Sequence, residues 1–333
     1  MALIANTHPT LLDVAKRMDP DGRIPIIAEM MTKVNPILED MPMLEGNLQT
    51  GHSGVVRTGL PTVAWRMLNY GTLPSKSTTK QVVDTCGILE AYSEIDKELF
   101  NLNGAKDSFR MSEDRAHIEA MSQELADTIF YGNTDTDPEK FLGLSPRYSV
   151  AAAENGGQII DAQGAGADNC SIWCICWSEQ TVHGIYPKGT MGGLEYENLG
   201  ERTKTDSAGR LMQVLTSHFI QRIGIHVKDW EGIARLSSID LSLWQAMSTP
   251  TPAGIMNYLM DLVHQIPPRL RGVGRRVIYC NQQIETILNK AAQSAAVSQL
   301  TVDKLKNGEP LVRFWGIPIR VCEALNIDED LTT

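Results

Sequence analysis

The residues best suited to chemistry are three cysteines close together in "CSIWCICW" (170–177), namely Cys170, Cys174 and Cys176. Zinc is held by two spaced pairs of thiolates, or by a pair completed by histidine, and this C-x3-C-x-C run has no second pair. Free cysteine is among the most buried residue types. Buried thiols in a strand are therefore expected, with Cys174 and Cys176 on one face and Cys170 a few residues off. His117-Ile118-Glu119 supplies the H-x-E half of the zinc deaminase signature, but the P-C-x-x-C half is missing. His117 is expected at an interface or on the solvent face. "GAGADN" (164–169) is a truncated G-x-G-x-x-G ending in Asn169, with no clear strand before it. The acidic run at 134–139 lacks the EF-hand ligand order and reads as a solvated loop. G-x-S-x-G, H-E-x-x-H and Walker A motifs are absent. No catalytic, cofactor-binding or metal-binding residue is assigned, and an enzyme is not expected.

The 333 residues suffice for one large domain or two ordinary ones, and 42% hydrophobic with 21% charged residues imply a real core. A net charge of -10 argues against tight nucleic-acid binding, which needs clustered Lys and Arg. Arg269, Arg271, Arg275 and Arg276 come nearest to such a cluster. The first residues have no signal-peptide pattern and no stretch is apolar enough to span a bilayer, so no membrane partner is expected. Six scattered cysteines read as reduced thiols in a protein assembled inside a cell.

The elements that must position these residues follow from periodicity. Residues 1–51 read as two short helices and an irregular apolar arm that needs another surface to lie on. "GVVRTGL", "PTVAWRML" and "KQVVDTCGILEAYSEID" read as strands of an extended hairpin, with a turn-rich tip at 69–79. A lone hairpin is marginal in water, so its partner surface is expected on a neighbouring subunit. Residues 106–131 predict a long helix with Ser112 as N-cap and an apolar stripe of Ile118, Met121, Leu125 and Ile129. Gly132-Asn133 predicts a left-handed cap, and "FLGL" (141–144) a return to the core. Strands and helices then interleave without strict alternation, including "TPAGIMNYLMDLVHQIPPRL" as a helix stopped by proline and "RRVIYCNQQIETILNKAA" as strand then helix with Asn281 as N-cap. The fold class is α+β.

The order of arm, hairpin, long helix, "YGN…FLGL" turn and larger mixed segment resembles the major capsid protein of tailed double-stranded DNA bacteriophages, with the Hong Kong 97-like fold. "MALIANTHPTLLDVAKRMDPDG", "GHSGVVRTGLPTVAWR", "SEDRAHIEAMSQELADTIFYGN", "RVIYCNQQIETILNKAA" and "WGIPIRV" carry the likeness, which spans essentially the whole chain and is nearest to short-tailed phages. The resemblance implies an N-terminal arm (1–51), an E-loop hairpin (52–84), a peripheral domain (85–149 and 301–333) with spine helix 106–131, and an axial domain (150–300). Val63, Trp65, Met67, Tyr70, Lys76 and Lys80 on the hairpin become the expected subunit-interface residues. Lys76 and Lys80 invite comparison with phage capsids locked by Lys–Asn isopeptide bonds, but no partner Asn or proton-accepting Glu can be placed, and solvated or salt-bridging lysines are expected.

The resemblance implies self-assembly into hexamers and pentamers of an icosahedral head. The implied partners are portal, scaffold, a cement or decoration protein, and packaged double-stranded DNA held without tight or specific binding. Assembly is expected in the bacterial host cytoplasm and residence in the virion. An encapsulin-like nanocompartment shell and, more remotely, a metal-dependent hydrolase or deaminase are the rival readings.

Overall fold

The computed structural model describes residues 35–102, 107–205, 209–247, 250–293, 300–304 and 310–331, with Pro9 and Lys33 besides. The two short helices expected before Pro36 fall outside the described residues, Lys33 aside. In chain order the strands are β1 (Met43–Glu45), β2 (Gly51–Gly59), β3 (Thr78–Thr85), β4 (Gly87–Asp96), β5 (Ile159–Asp161) and β6 (Asn169–Trp177). There follow β7 (Val182–Tyr186), β8 (Leu194–Thr205), β9 (Leu211–Val227), β10 (Ile233–Asp240) and β11 (Arg275–Cys280). The last are β12 (Leu300–Lys304), β13 (Pro310–Phe314) and β14 (Ile317–Val321). By compactness the described chain divides into a smaller unit, Ile88–Leu125 with Gly193–Arg222, and a larger one holding the rest from residue 35 on.

The larger unit is built around β6, whose nine residues are all buried. A strand covered on both faces has no reason to alternate, which is why "NCSIWCICW" reads as a continuous apolar run. Antiparallel β10 and β11 flank it, and the sheet continues through parallel β14 to β13 and β12. On one face the helices Leu241–Ala246, Pro252–Gln265 and Gln282–Gln293 bury Trp244, Leu259 and Ile287 against Cys174, Cys176 and Ile278. Each such aliphatic side chain contributes about 1.5–3 kcal/mol on leaving water. Caps fix where these helices begin: Asp240 accepts from Leu243 N at 3.0 Å, Thr251 from Gly254 N at 3.3 Å, and Asn281, as expected, from Gln283 N at 3.1 Å.

Residues 37–41 and Glu329 are both fastened to this sheet. Asp40, ending the short helix Ile37–Asp40, accepts from Tyr279 Oη at 2.8 Å and pairs with Arg275 at 2.9 Å and Arg320 at 3.2 Å. Ile37 and Met41 are buried there. This part of the apolar arm therefore lies on its own chain. At the other end Arg235 Nη2 donates to Glu329 at 2.8 Å, and both side chains are almost inaccessible. Arg235 also donates to Ser171 Oγ and the Tyr148 carbonyl, while Tyr131 Oη donates to Glu329 at 2.5 Å. The apparently free acidic tail is thus clasped by a buried cation.

In the smaller unit β8 and β9 form an antiparallel ladder from Leu194↔Gln221 to Thr205↔Leu211, and β4 lies on the other side of β9. Arg110, on the long helix Asp107–Tyr131, ties the helix to this sheet by donating to Asn198 Oδ1 at 2.7 Å and Ser217 Oγ at 2.8 Å.

Several expectations are corrected. The long helix begins at Asp107, so Ser112 lies inside it and caps nothing. Ile118 is half exposed, and the buried stripe is carried by Met121, Leu125, Ala126, Ile129 and Phe130. Neither Gly132 nor Asn133 has a positive φ. Gly132 is there for proximity: a Cβ on it would stand 2.5 Å from Phe141 O and 2.6 Å from Thr128 O. By compactness residues 193–222 group with Ile88–Leu125, and β13 and β14 continue the sheet of β11 and β6. Strand periodicity says which face is covered but not which ladder a strand joins.

Candidate assembly site: the hairpin and its root

Strands β2 and β3 pair antiparallel from Gly51↔Thr85 to Gly59↔Thr78 and form a two-stranded sheet of their own. The ladder stops there. "PTVAWRML", expected as a further strand, has no regular structure, because no strand lies beside it and Pro61 has no N–H to give. The expected long return strand is likewise split at Cys86, whose N–H turns aside to Thr50 O at 2.9 Å.

Between Gly59 and Thr78 the chain carries large apolar side chains into solvent. Val63 is 93% exposed, Trp65 is fully exposed, and Leu60, Met67, Leu68, Tyr70 and Leu73 are exposed as well. Lys76 and Lys80 are exposed beside them. Seven large apolar side chains exposed along one short span exceed the singly scattered ones of an ordinary monomer surface.

The root of the hairpin is packed tightly against the sheet of the larger unit. Asp84, near the end of β3, is buried, with Oδ1 2.7 Å from Arg147 Nη2 and Oδ2 2.7 Å from His226 Nδ1. Val227 N donates to the same Oδ2 at 3.2 Å. Burial alone would raise the Asp84 carboxyl, but the hydrogen bond from His226 and the Arg147 guanidinium hold it below the usual carboxylate range. His226 on β9 lies opposite His183 on β7, with ring centroids 5.3 Å apart. His52 on β2 closes the group at 4.5 Å from His226 and 6.0 Å from His183. Gly54 allows this approach: a Cβ there would stand 2.7 Å from His226 Nε2.

The residues with chemical potential have other positions. Cys170, Cys174 and Cys176 all face one core cluster, so Cys170 shares the face of the other two. Burial pushes the Cys174 thiol up to about 12 and raises Cys170 and Cys176 as well. His117 is half buried and lies over the Phe219 ring, with Glu119 accepting from Lys33 N at 3.0 Å. In "GAGADN", Asp168 Oδ2 accepts from Ser242 N at 2.9 Å, holding the loop to a helix start. Short β5 does precede that motif, but strand β6 follows it where a dinucleotide fold needs a helix. Asp135 and Glu139 of the acidic loop are exposed. Among the described residues no group of three or more His, Cys, Asp or Glu is placed to hold a metal ion, and no helix is long and apolar enough to cross a membrane. No local signal in the sequence marks the buried histidine root, since His52, His183 and His226 are far apart in the chain.

A projecting hairpin, a long helix beside a β-ladder and a mixed helix-backed sheet together define the Hong Kong 97-like class of phage shell protein. The chain belongs to the family of major capsid protein GP7, whose model matches residues 19–333. It is similar to a chain of the bacteriophage Epsilon15 structure at 30% identity and TM-score 0.79, each chain covered over 100% of its length. Weaker likenesses join it to the bacteriophage JBD30 capsid (10% identity, TM-score 0.46, 90% of this chain and 93% of that one) and to the SrpI encapsulin of Synechococcus elongatus (12%, 0.42, 70% and 97%). No curated protein sequence matches. This is a structural protein of a phage capsid.

Proposed function

We propose that copies of this chain form the hexamers and pentamers of an icosahedral head enclosing double-stranded DNA, and that the exposed span 60–77 lies on a neighbouring copy. The observation that carries this reading is the row of solvent-exposed apolar residues, Val63 and Trp65 foremost, held out from a buried root. Burying seven such side chains between subunits supplies roughly 1.5–3 kcal/mol each before the cost of ordering. Head-to-tail contacts of this kind close into rings. In this reading 85–149 with 301–333 form the peripheral domain, 150–300 the axial domain, and 52–84 the E-loop. Val63, Trp65, Met67, Tyr70, Lys76 and Lys80 are its interface residues. The net charge of -10 suits a wall that does not grip DNA. Portal, scaffold and a cement or decoration protein are further partners in this reading. Assembly takes place in the bacterial host cytoplasm, and the chain performs no catalysis.

Negative-stain imaging with sedimentation velocity of the purified full-length protein tests it. Uniform closed shells or capsomer rings are the expected result. A small discrete oligomer as the terminal assembled state would overturn the proposal.

A further inference from the structure

We propose that His52, His183 and His226 form a proton-sensitive latch that holds the hairpin root on the sheet of the larger unit. Their rings pack within 4.5 to 6.0 Å of one another. His52 Nδ1, His183 Nδ1 and His226 Nε2 are each buried and have no hydrogen-bond partner. Asp84 Oδ2 pairs with His226 Nδ1, and His226 Nε2 lies beneath Gly54, whose missing Cβ leaves it room. Neutral His52 and His183 tolerate this arrangement. A proton added to His52 Nδ1 or His183 Nδ1 creates a donor facing no acceptor, and a cation against the neighbouring imidazoles.

The surrounding charges cannot absorb that cation. Asp84 on β3 is the anion acting on His52, and Arg147 at 2.7 Å already matches it. Lys228, following β9, adds positive charge toward His52 and His183. Burial first, then His226 and His52, lowers His183 to about 4. Burial, then His226 and Lys228, lowers His52 against the opposing pull of Asp84. The latched root therefore binds fewer protons than a released one as pH falls from the ordinary value of 6.5 toward about 4. Stability of the root is complete above that window and declines through it, and His183 alone moves the equilibrium by a factor on the order of 100. The strands that would come free are β2 and β3, which lead directly to the exposed span.

Hydrogen exchange read by mass spectrometry, with labelling times scaled to the intrinsic rate at each pH, tests the latch. It is made on the monomeric fraction of the full-length protein, so its outcome does not depend on assembly. Peptides covering 51–59 and 78–85 are expected to lose protection below about pH 6, while those covering 169–177 and 275–280 keep theirs. His52→Gln with His183→Gln is expected to move the root's midpoint about one pH unit lower. His52→Gln alone, at the least buried of the three rings, is expected to shift it less, in the same direction. Unchanged root protection down to pH 4.5, simultaneous loss in root and sheet, or no shift in either variant would overturn the proposal.

Discussion

His226 Nδ1 stands 2.7 Å from Asp84 Oδ2, and through this contact the last residues of β9 grip the strand that returns from the hairpin. Arg147 grips the same carboxylate from the other oxygen. A segment that looks like a loose appendage is therefore anchored in the interior at its base. Removing one partner of a buried pair leaves the others uncompensated and costs about 3–5 kcal/mol. Asp84→Ala is expected to lower the urea midpoint of the purified protein by a corresponding amount. A loss below 1 kcal/mol would show that the root contributes little to the fold.

Trp65 lies at the opposite extreme, fully exposed and touching nothing that holds the subunit together. Trp65→Asp is expected to abolish shell formation in sedimentation velocity while far-UV circular dichroism stays unchanged. Collapse of the whole circular dichroism spectrum would place this residue in the subunit core instead.

Glu329 balances Arg235 in a nearly dry environment, together with Tyr131 and Ser171. Glu329→Ala leaves a buried guanidinium without its carboxylate and is expected to cost about 3–5 kcal/mol in chemical denaturation. Tyr131→Phe removes only a hydrogen-bond donor and is expected to cost about 1–3 kcal/mol. Equal losses in the two variants would contradict a charge-led clasp.

The thiols make a prediction about reactivity. Because the thiolate is the nucleophile and burial holds the Cys174 thiol near 12, native protein at pH 8 is expected to resist iodoacetamide at Cys170, Cys174 and Cys176. Peptide mass spectrometry after denaturation should then show all three alkylated. Cys174→Ala with Cys176→Ala is expected to keep assembly competence.

The sequence made some of this legible, through local signals. The apolar run of β6, the proline-stopped helix Pro252–Gln265 and the Asn281 cap are each written within a few neighbouring residues, and they appear where periodicity puts them. Exposure of 60–77 was foreshadowed by a hairpin with too little of its own to pack against. What stayed hidden depends on distant pairing. Nothing near His52 indicates that His183 and His226 will come within ring contact of it. The grouping of β8 and residues 211–222 of β9 with residues 107–125 of the long helix, and of β13 and β14 with the main sheet, likewise rests on ladders that alternation does not name.

Gly132 and Gly143 meet at the neck of the acidic loop, where Gly143 N donates to Gly132 O at 2.7 Å and a Cβ on Gly143 would stand 2.8 Å from Gly132 N. The excursion between them leaves and re-enters the core through one doorway, and its tip at Asp135 and Thr136 is exposed. Lengthening a closed loop costs only about 0.6 kcal/mol per doubling. The neck thus insulates the wall from the loop's content, and a foreign peptide spliced at the tip would hang outside the fold like a sign on a bracket.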